Sequence, residues 1–293
     1  MKPRTAAHPY LMLGPTALLL GIFFFYPIGF AVYTSFVDWD LLTPPRWVGW
    51  RNYQALWASG ELALAFFNTL KFSLVVVTLG MLLGLGLALA LNRPGRFAGF
   101  VRSAIFSAYV ISWVSVALLW LWVLDASAGA LSALVRSVGL VPLDWLGDPA
   151  VALYSLAGVT VWKIAGYSLV LFLAGLQDVP ASLHEAAALD GARSFGRFWY
   201  VTWPLLRPTA AFVGTTSLIT SFQVFDVVRV MTQGGPVHST TVFVYAIYEQ
   251  VFRDLRVGRA SALVVLFFGL LLMLTGLQLW AWHERTAHAK ARS

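Results

Sequence analysis

Long apolar runs separated by short polar segments dominate the chain. A membrane-spanning helix needs about 20 mostly apolar residues, and six runs are long enough, at approximately 11–36, 72–91, 104–124, 151–176, 209–228 and 260–282. The pattern therefore predicts an all-α fold, a polytopic membrane helical bundle with six transmembrane helices. Residues 1–293 would form a single transmembrane domain, and an even number of spans would leave both termini on one side.

Two of these runs contain residues that affect helix shape and packing. Pro27 lies inside the first run and is expected to kink it, because proline removes a helical hydrogen bond. Gly80, Gly84 and Gly86 lie in the second run. They either permit close contact with another helix or are tolerated against lipid, and the sequence leaves both possibilities open.

Composition supports the bilayer as the solvent for most of the chain. It is 59% hydrophobic and 11% charged, whereas a soluble protein averages about 25% charged residues. The absence of cysteine excludes disulfides, thiolate metal sites and cysteine nucleophiles. The net charge of +7 does not indicate nucleic acid, because basic residues commonly flank membrane spans. Lysine and arginine favour an orientation in which both termini are cytoplasmic.

A polar, charged segment at residues 177–208 separates the fourth and fifth apolar runs. Ser182 is expected to be the N-cap of a short helix, and Glu185 three residues later would complete a capping box. The alanines that follow favour a helix, and Gly191 is a natural stop. A second short helix is expected from Ser194 to about residue 201, ended by the prolines at 204 and 208. An ordinary surface loop and a docking surface explain these features equally well.

The spacing in this segment resembles the EAA loop of permease subunits of binding-protein-dependent ABC importers. That pattern is Glu-Ala-Ala, three residues, Gly, nine residues and Ile-x-Leu-Pro, and here it reads Glu185-Ala186-Ala187, Gly191 and Val201-Thr202-Trp203-Pro204. The resemblance covers nearly the whole chain and is greatest to the sugar-type MalF and UgpA kind. It is carried further by Tyr26-Pro27, Trp47-Val48-Gly49, Asn52-Tyr53, Thr232-Gln233-Gly234-Gly235-Pro236 and Gly258-Arg259-Ala260-Ser261-Ala262.

The resemblance implies a type I ABC importer permease fold in the bacterial cytoplasmic (inner) membrane. The function implied is ATP-driven import of a sugar or related solute, such as an oligosaccharide or glycerol phosphate. The partners implied are a different, MalG-like permease subunit, a dimer of ABC ATPases and an extracytoplasmic solute-binding protein. The ATPase-docking residues would be Glu185, Ala186, Ala187, Leu189, Asp190 and Gly191.

ATP hydrolysis is expected in a separate subunit. The chain has no G-x-x-x-x-G-K-[ST] loop to cradle a nucleotide. We therefore expect this chain to bind no cofactor and to have no enzymatic activity, with ATP and Mg²⁺ used by the partner ATPase.

Polar residues within the fourth and fifth runs are the candidates for a solute pathway: Lys163, Tyr167, Ser217, Ser221, Gln223 and Asp226. A lysine in mid-membrane usually faces the bundle interior or water. Lys163 would either line the pathway, pair with Asp125 or Asp226, or extend its amine toward an interface. For the serines, hydrogen bonding between helices is the favoured alternative.

Two other classes of protein compete with the transport subunit. An intramembrane enzyme needs converging acids, bases or metal ligands, yet none of the five histidines lies in an apolar run or at a metal-binding spacing. We therefore expect no catalytic residue and no metal. An ion-coupled secondary carrier would work without ATP and predicts more buried acidic residues than this sequence contains.

Overall fold

The computed structural model describes residues 7–290, so both chain termini, whose side of the membrane is predicted above, lie outside the described residues. The chain divides into two compact units, one formed by Met1–Ala63 with Ala246–Ser293 and the other by Leu64–Tyr245. The organisation of residues 1–293 as a single domain therefore stays a prediction.

The elements are almost entirely helical, as the apolar runs predict. In chain order they are α1 (Ala7–Leu20), a π-helical turn (Gly21–Phe25), α2 (Tyr26–Ser35), β1 (Val37–Asp38), β2 (Arg46–Trp47), α3 (Arg51–Ala58), α4 (Glu61–Leu91), α5 (Arg96–Val110), α6 (Trp113–Val123), α7 (Ala130–Ser137), α8 (Ala152–Gln177), α9 (Ala181–Leu189), α10 (Ser194–Arg197), a second π-helical turn (Phe198–Thr202), α11 (Trp203–Phe222), α12 (Asp226–Met231), α13 (Phe243–Phe252) and α14 (Val257–Lys290).

In the described residues, five helical segments are long and apolar enough to cross a membrane: Leu13–Ser35, Glu61–Leu91, Ala152–Gln177, Ser194–Met231 and Val257–Leu277. The sixth candidate is a broken one. The third expected span, 104–124, is not a single helix, because α5 and α6 meet at a 102° bend. The break lies at Ile111–Ser112, where Ile111 has an extended backbone (φ −64°, ψ 144°).

The first unit is held together by hydrogen bonds to backbone carbonyls and by a close helix contact. Helix α2 packs against α14. The Asn52 side-chain amide donates to the carbonyls of Ser35 and Val37, both at 2.9 Å. A Cβ added at Gly258, in the first turn of α14, would lie 1.9 Å from the Val37 carbonyl oxygen. This contact explains why glycine stands at that position.

Helix α2 contains the predicted proline, but the local distortion precedes it. The π-helical turn Gly21–Phe25 ends where the Tyr26 N–H donates to the Gly21 carbonyl, and Pro27 lies in the first turn of α2. The π-helical turn shifts the hydrogen-bond register of the helix just before this proline, whose ring nitrogen cannot donate. Leu13–Ser35 remains one candidate span.

The core of the second unit lies between α4, α8 and α11, and its buried members are Ala88, Leu169, Phe172, Leu173, Leu176, Leu206, Ala210 and Val213. Small residues let these helices approach. A Cβ on Gly84 would lie 2.4 Å from the Ser168 Cβ, and one on Gly80 would lie 3.1 Å from Ile164. A Cβ on Gly86 meets nothing within 4 Å, so close packing explains only two of the three glycines.

Helix α4 begins well before the expected second span, 72–91. Glu61, Asn68, Thr69 and Lys71 interrupt the apolar pattern in the first turns of this helix. In the structure Asn68 donates to the carbonyls of His238 and Thr241, both at 3.1 Å. The Thr69 hydroxyl accepts from the Phe243 N–H at 2.8 Å. These polar groups are buried with hydrogen-bond partners, which a count of apolar residues does not detect.

Candidate functional sites: the 177–208 segment and the cavity beside α12

The short helix predicted in the 177–208 segment is α9, but its start differs from the prediction. Pro180 is the N-cap, with an extended backbone (φ −61°, ψ 131°), and no side chain caps the helix. Ser182 therefore lies inside the first turn, and the predicted capping box between Ser182 and Glu185 is wrong. Proline occupies the boundary because its restricted φ and missing N–H suit a position just outside a helix.

The end of α9 is a Schellman motif, and it occurs where glycine was expected to stop the helix. Gly191 has a φ of +79°. Its N–H donates to the Ala188 carbonyl at 3.1 Å, and the Ala192 N–H donates to the Ala187 carbonyl at 2.9 Å. These two bonds satisfy carbonyls that the helix end leaves open, and the left-handed residue between them favours glycine.

Helix α9 presents its side chains to the surroundings. None of its residues is buried in this chain. Leu189, at the last position, is 91% exposed, and two large side chains further along the segment are also exposed, Phe195 at 76% and Tyr200 at 86%. Glu185, Ala186 and Asp190 are exposed as well. The chain thus holds an exposed nine-residue helix with an apolar tip that nothing in the second unit covers.

The sequence predicts that the prolines after α9 end a second short helix. In the structure they instead lie inside a continuous helix. Helix α10 passes through the π-helical turn Phe198–Thr202 into α11. The Trp203 N–H donates to the Phe198 carbonyl, one residue further back than in an α-helix. Pro204 falls in the first turn of α11, and Pro208 lies within it. A π-helical turn changes the hydrogen-bond register of a helix and so can accommodate a nearby proline.

The fifth expected span, 209–228, is interrupted near its end. Helix α11 ends at Phe222 and α12 begins at Asp226, and the residues between them are not helical. The interruption opens a cavity of about 150 Å³. It is lined by Trp113, Thr160, Thr220, Gln223, Val224, Phe225, Asp226 and Val227. Indole and phenyl rings beside hydroxyl, amide and carboxylate groups form the mixture of apolar walls and a few polar groups that is typical of small-molecule sites.

Two of the six predicted pathway residues line this cavity, and the other four do not. Gln223 and Asp226 line the cavity. Ser221 donates to the Leu218 carbonyl of its own helix at 2.8 Å and is fully buried, and Ser217 is 4% exposed. The Tyr167 ring stacks on Tyr109, with centroids 4.9 Å apart. None of Tyr167, Ser217 and Ser221 is among the cavity-lining residues.

Lys163 is not among the cavity-lining residues either, and it has no acidic partner among the residues that the structure describes. It is 1% exposed. Its ammonium donates to the carbonyls of Ala108 and Tyr109, both at 3.1 Å, and to that of Ile111. The Trp113 ring lies 4.8 Å from the same nitrogen. The alternative in which Lys163 pairs with Asp125 or Asp226 is therefore wrong, because the lysine instead binds backbone carbonyls at the break between α5 and α6.

Asp125 is occupied locally. Its Oδ1 accepts from the Ala128 N–H at 2.7 Å and from the Ser127 hydroxyl and N–H at 2.7 and 2.9 Å. These hydrogen bonds hold the pKa of the Asp125 carboxyl below its usual value. The carboxylate therefore organises the loop that follows α6.

The sequence analysis missed the other six cavity-lining residues, namely Trp113, Thr160, Thr220, Val224, Phe225 and Val227. They lie in apolar runs, and nothing in a single sequence distinguishes them from other membrane-embedded residues. Their role depends on the two helix interruptions, neither of which has a glycine or proline signal. Among residues 13–277, no group of three or more potential metal ligands occurs.

The bundle of apolar helices, the exposed α9 and the cavity between broken helices define a membrane transport subunit. A family model described as "Binding-protein-dependent transport system inner membrane component" matches residues 77–286. The chain therefore belongs to this family. It is the transmembrane subunit of a binding-protein-dependent ABC importer and a multi-pass membrane protein, and neither the secondary-carrier nor the intramembrane-enzyme alternative is favoured.

Individual relatives resemble the chain over most of its length. The sn-glycerol-3-phosphate transport system permease protein UgpA of Agrobacterium fabrum is 34% identical over 276 residues, covering 92% of each chain. The sulfoquinovosyl glycerol transport system permease protein SmoG of the same organism is 32% identical, covering 92% of this chain and 88% of the relative.

A solved structure shares the fold. A chain of a bacterial ABC transporter involved in the import of the acidic polysaccharide alginate matches with a TM-score of 0.78 and 24% identity, covering 94% of this chain and 93% of that chain. The chain therefore has the type I ABC importer permease fold that the sequence predicted.

Proposed function

We propose that this chain is one of two unlike permease subunits of an importer for a sugar or a related polyhydroxylated solute. The second permease would be MalG-like, an ABC ATPase dimer would use ATP and Mg²⁺, and an extracytoplasmic binding protein would deliver the solute. Both termini and α9 would face the cytoplasm. The distribution of lysine and arginine over the whole chain supports this orientation, because 11 lie in the segments it places inside and 8 in the segments it places outside.

The observation that carries the proposal is the exposed α9 with its closed carboxyl end. An isolated helix of this length is marginal in water, yet here it is closed by a Schellman motif. Its terminal Leu189 is 91% exposed. We infer that this helix docks in a cleft of the ATPase, so that closure of the ATPase dimer moves the permease as a rigid body. Glu185, Ala186, Ala187, Leu189, Asp190 and Gly191 would form the docking surface.

The cavity beside α12 supports an uncharged solute. The indole of Trp113 can stack on a sugar ring, and Thr160, Thr220 and Gln223 can hydrogen-bond hydroxyl groups. Its lining contains one carboxylate, Asp226, and neither lysine nor arginine. A carboxylate disfavours an anion nearby. A neutral sugar or oligosaccharide therefore fits this lining better than glycerol phosphate does.

The docking surface is tested by a Leu189→Asp substitution. A carboxylate buried in the interface without a partner should cost about 3–5 kcal/mol, or a more than hundredfold loss of affinity. We expect the variant to insert normally, but to lose both the co-purifying ATPase and ATP-driven solute uptake. The matched control is Val141→Asp, at an equally exposed apolar side chain (89%) outside the 177–208 segment. It should retain the ATPase. ATPase recovery equal to that of the control would overturn the docking assignment.

A further inference from the structure

The ammonium of Lys163 is saturated by groups of the broken third span. An ammonium carries three donor hydrogens, and Lys163 has three carbonyl acceptors, on Ala108, Tyr109 and Ile111. All three acceptors lie at the carboxyl end of α5 or in the break that follows. The lysine comes from the middle of α8, more than 50 residues further along the chain. A role in contacting solute would require it to abandon these partners.

The break creates the need for such a partner. The last four carbonyls of a helix have no hydrogen-bond donor within the helix, and a bilayer offers no water to satisfy them. A cation near a helix carboxyl end is also favoured by the helix dipole. One buried side chain therefore satisfies three of the carbonyls exposed where α5 stops and α6 starts in a new direction, 102° away.

The same ammonium contacts the other side of the break. The Trp113 ring, in the first residue of α6, lies 4.8 Å from the Lys163 nitrogen. A cation at this distance from an indole is attracted to the ring. Trp113 is also one of the residues that line the cavity. The lysine thus connects the end of α5, the start of α6 and an aromatic wall of the cavity without lining the cavity itself.

We propose that Lys163 is a positioning residue that holds the third span at its break and thereby holds Trp113 in the wall of the solute cavity. The contacts of Lys163 with Ala108, Tyr109, Ile111 and Trp113 carry the mechanical role. The part that concerns solute rests on the proposed function, because it assumes that the cavity receives the transported molecule.

The angle at the break can be measured directly. Phe97 in α5 and Trp122 in α6 have exposed side chains, and the chain itself contains no cysteine. Nitroxide labels on Phe97→Cys and Trp122→Cys in the assembled transporter would report the separation by pulsed electron paramagnetic resonance. At 1.5 Å per residue, the bend of 102° gives about 23 Å between these positions, whereas a continuous straight helix gives about 38 Å.

Lys163→Met removes the cation while keeping a long apolar side chain. We expect the label separation to lengthen by up to about 15 Å or to become bimodal, with the longer population near the straight-helix value. Lys163→Arg, which keeps the charge and several donors, should restore the short distance. Ser168→Ala is the matched control on α8, because the buried Ser168 hydroxyl has no described hydrogen-bond partner. It should leave the distance unchanged.

A short, narrow distance in Lys163→Met would overturn the positioning role. If that variant is not recovered from membranes, Lys163→Leu, which also lacks a donor, provides the same measurement, and an unchanged narrow distance there would equally overturn it. Trp113→Leu and Gln223→Ala test whether the cavity receives the transported solute. If both leave solute uptake intact while Lys163→Met lengthens the distance, the cavity assignment fails and the positioning role stands.

Discussion

The contact between α4 and α8 predicts that two glycines on the same helix respond oppositely to a single methyl group. In Gly84→Ala the new Cβ would lie 2.4 Å from the Ser168 Cβ and 3.1 Å from its carbonyl carbon. Carbon atoms pack best at about 3.5–4.0 Å, so α4 would have to move away by roughly 1 Å. In Gly86→Ala the new Cβ would meet nothing within 4 Å.

The comparison isolates the packing energy. Both substitutions gain the same helix propensity, about 1 kcal/mol relative to glycine, and that gain cancels in the difference. Overpacking a tight contact costs about 1–3 kcal/mol, so Gly84→Ala should be less stable than Gly86→Ala by that amount. Sodium dodecyl sulfate titration in mixed micelles, followed by circular dichroism, measures both. Equal unfolding midpoints, or a lower midpoint for Gly86→Ala, would refute the packing argument.

Two further substitutions test the hydrogen bonds and the backbone of the other elements. Asn52→Leu leaves the carbonyls of Ser35 and Val37 without their donor. It should destabilise the fold by about 1–3 kcal/mol for each carbonyl that stays buried, as measured by the same titration. An unchanged unfolding midpoint would argue against these hydrogen bonds. Gly191→Ala forces alanine into a left-handed conformation at a cost of about 1–2 kcal/mol and should reduce ATPase co-purification. Gly196 has no positive φ, so Gly196→Ala should leave co-purification unchanged. Equal losses in the two variants would contradict the role of the Schellman motif.

Features that depend on local chemistry could be predicted from the sequence. Apolar runs of sufficient length identified the membrane helices, because lipid requires each one to satisfy its own backbone hydrogen bonds. The stop at Gly191 was predictable for a similar reason, since the left-handed residue after a helix strongly favours glycine. The start of the same helix could not be predicted. Pro180 and Ser182 are both acceptable boundary residues, and the structure uses the proline.

Features that depend on distant partners could not be predicted. The third span breaks where a lysine from α8 supplies donors for the exposed carbonyls, and no residue near Ile111 announces this. The same is true of Asn68, whose partners are carbonyls about 170 residues away. The cavity followed from the interruption between α11 and α12, so only Gln223 and Asp226 of the predicted pathway residues lie in it. Tyr167 and the two serines instead contribute to packing in the bundle.

The most direct test of the central claim is to purify this chain from its native membranes in mild detergent and identify the proteins that accompany it by mass spectrometry. The proposed function predicts that an ABC ATPase and a second, different permease subunit accompany the chain. It also predicts that Leu189→Asp removes the ATPase while Val141→Asp does not. Recovery of the chain alone or as a homodimer, without an ATPase in several detergents, would contradict a docking role for α9.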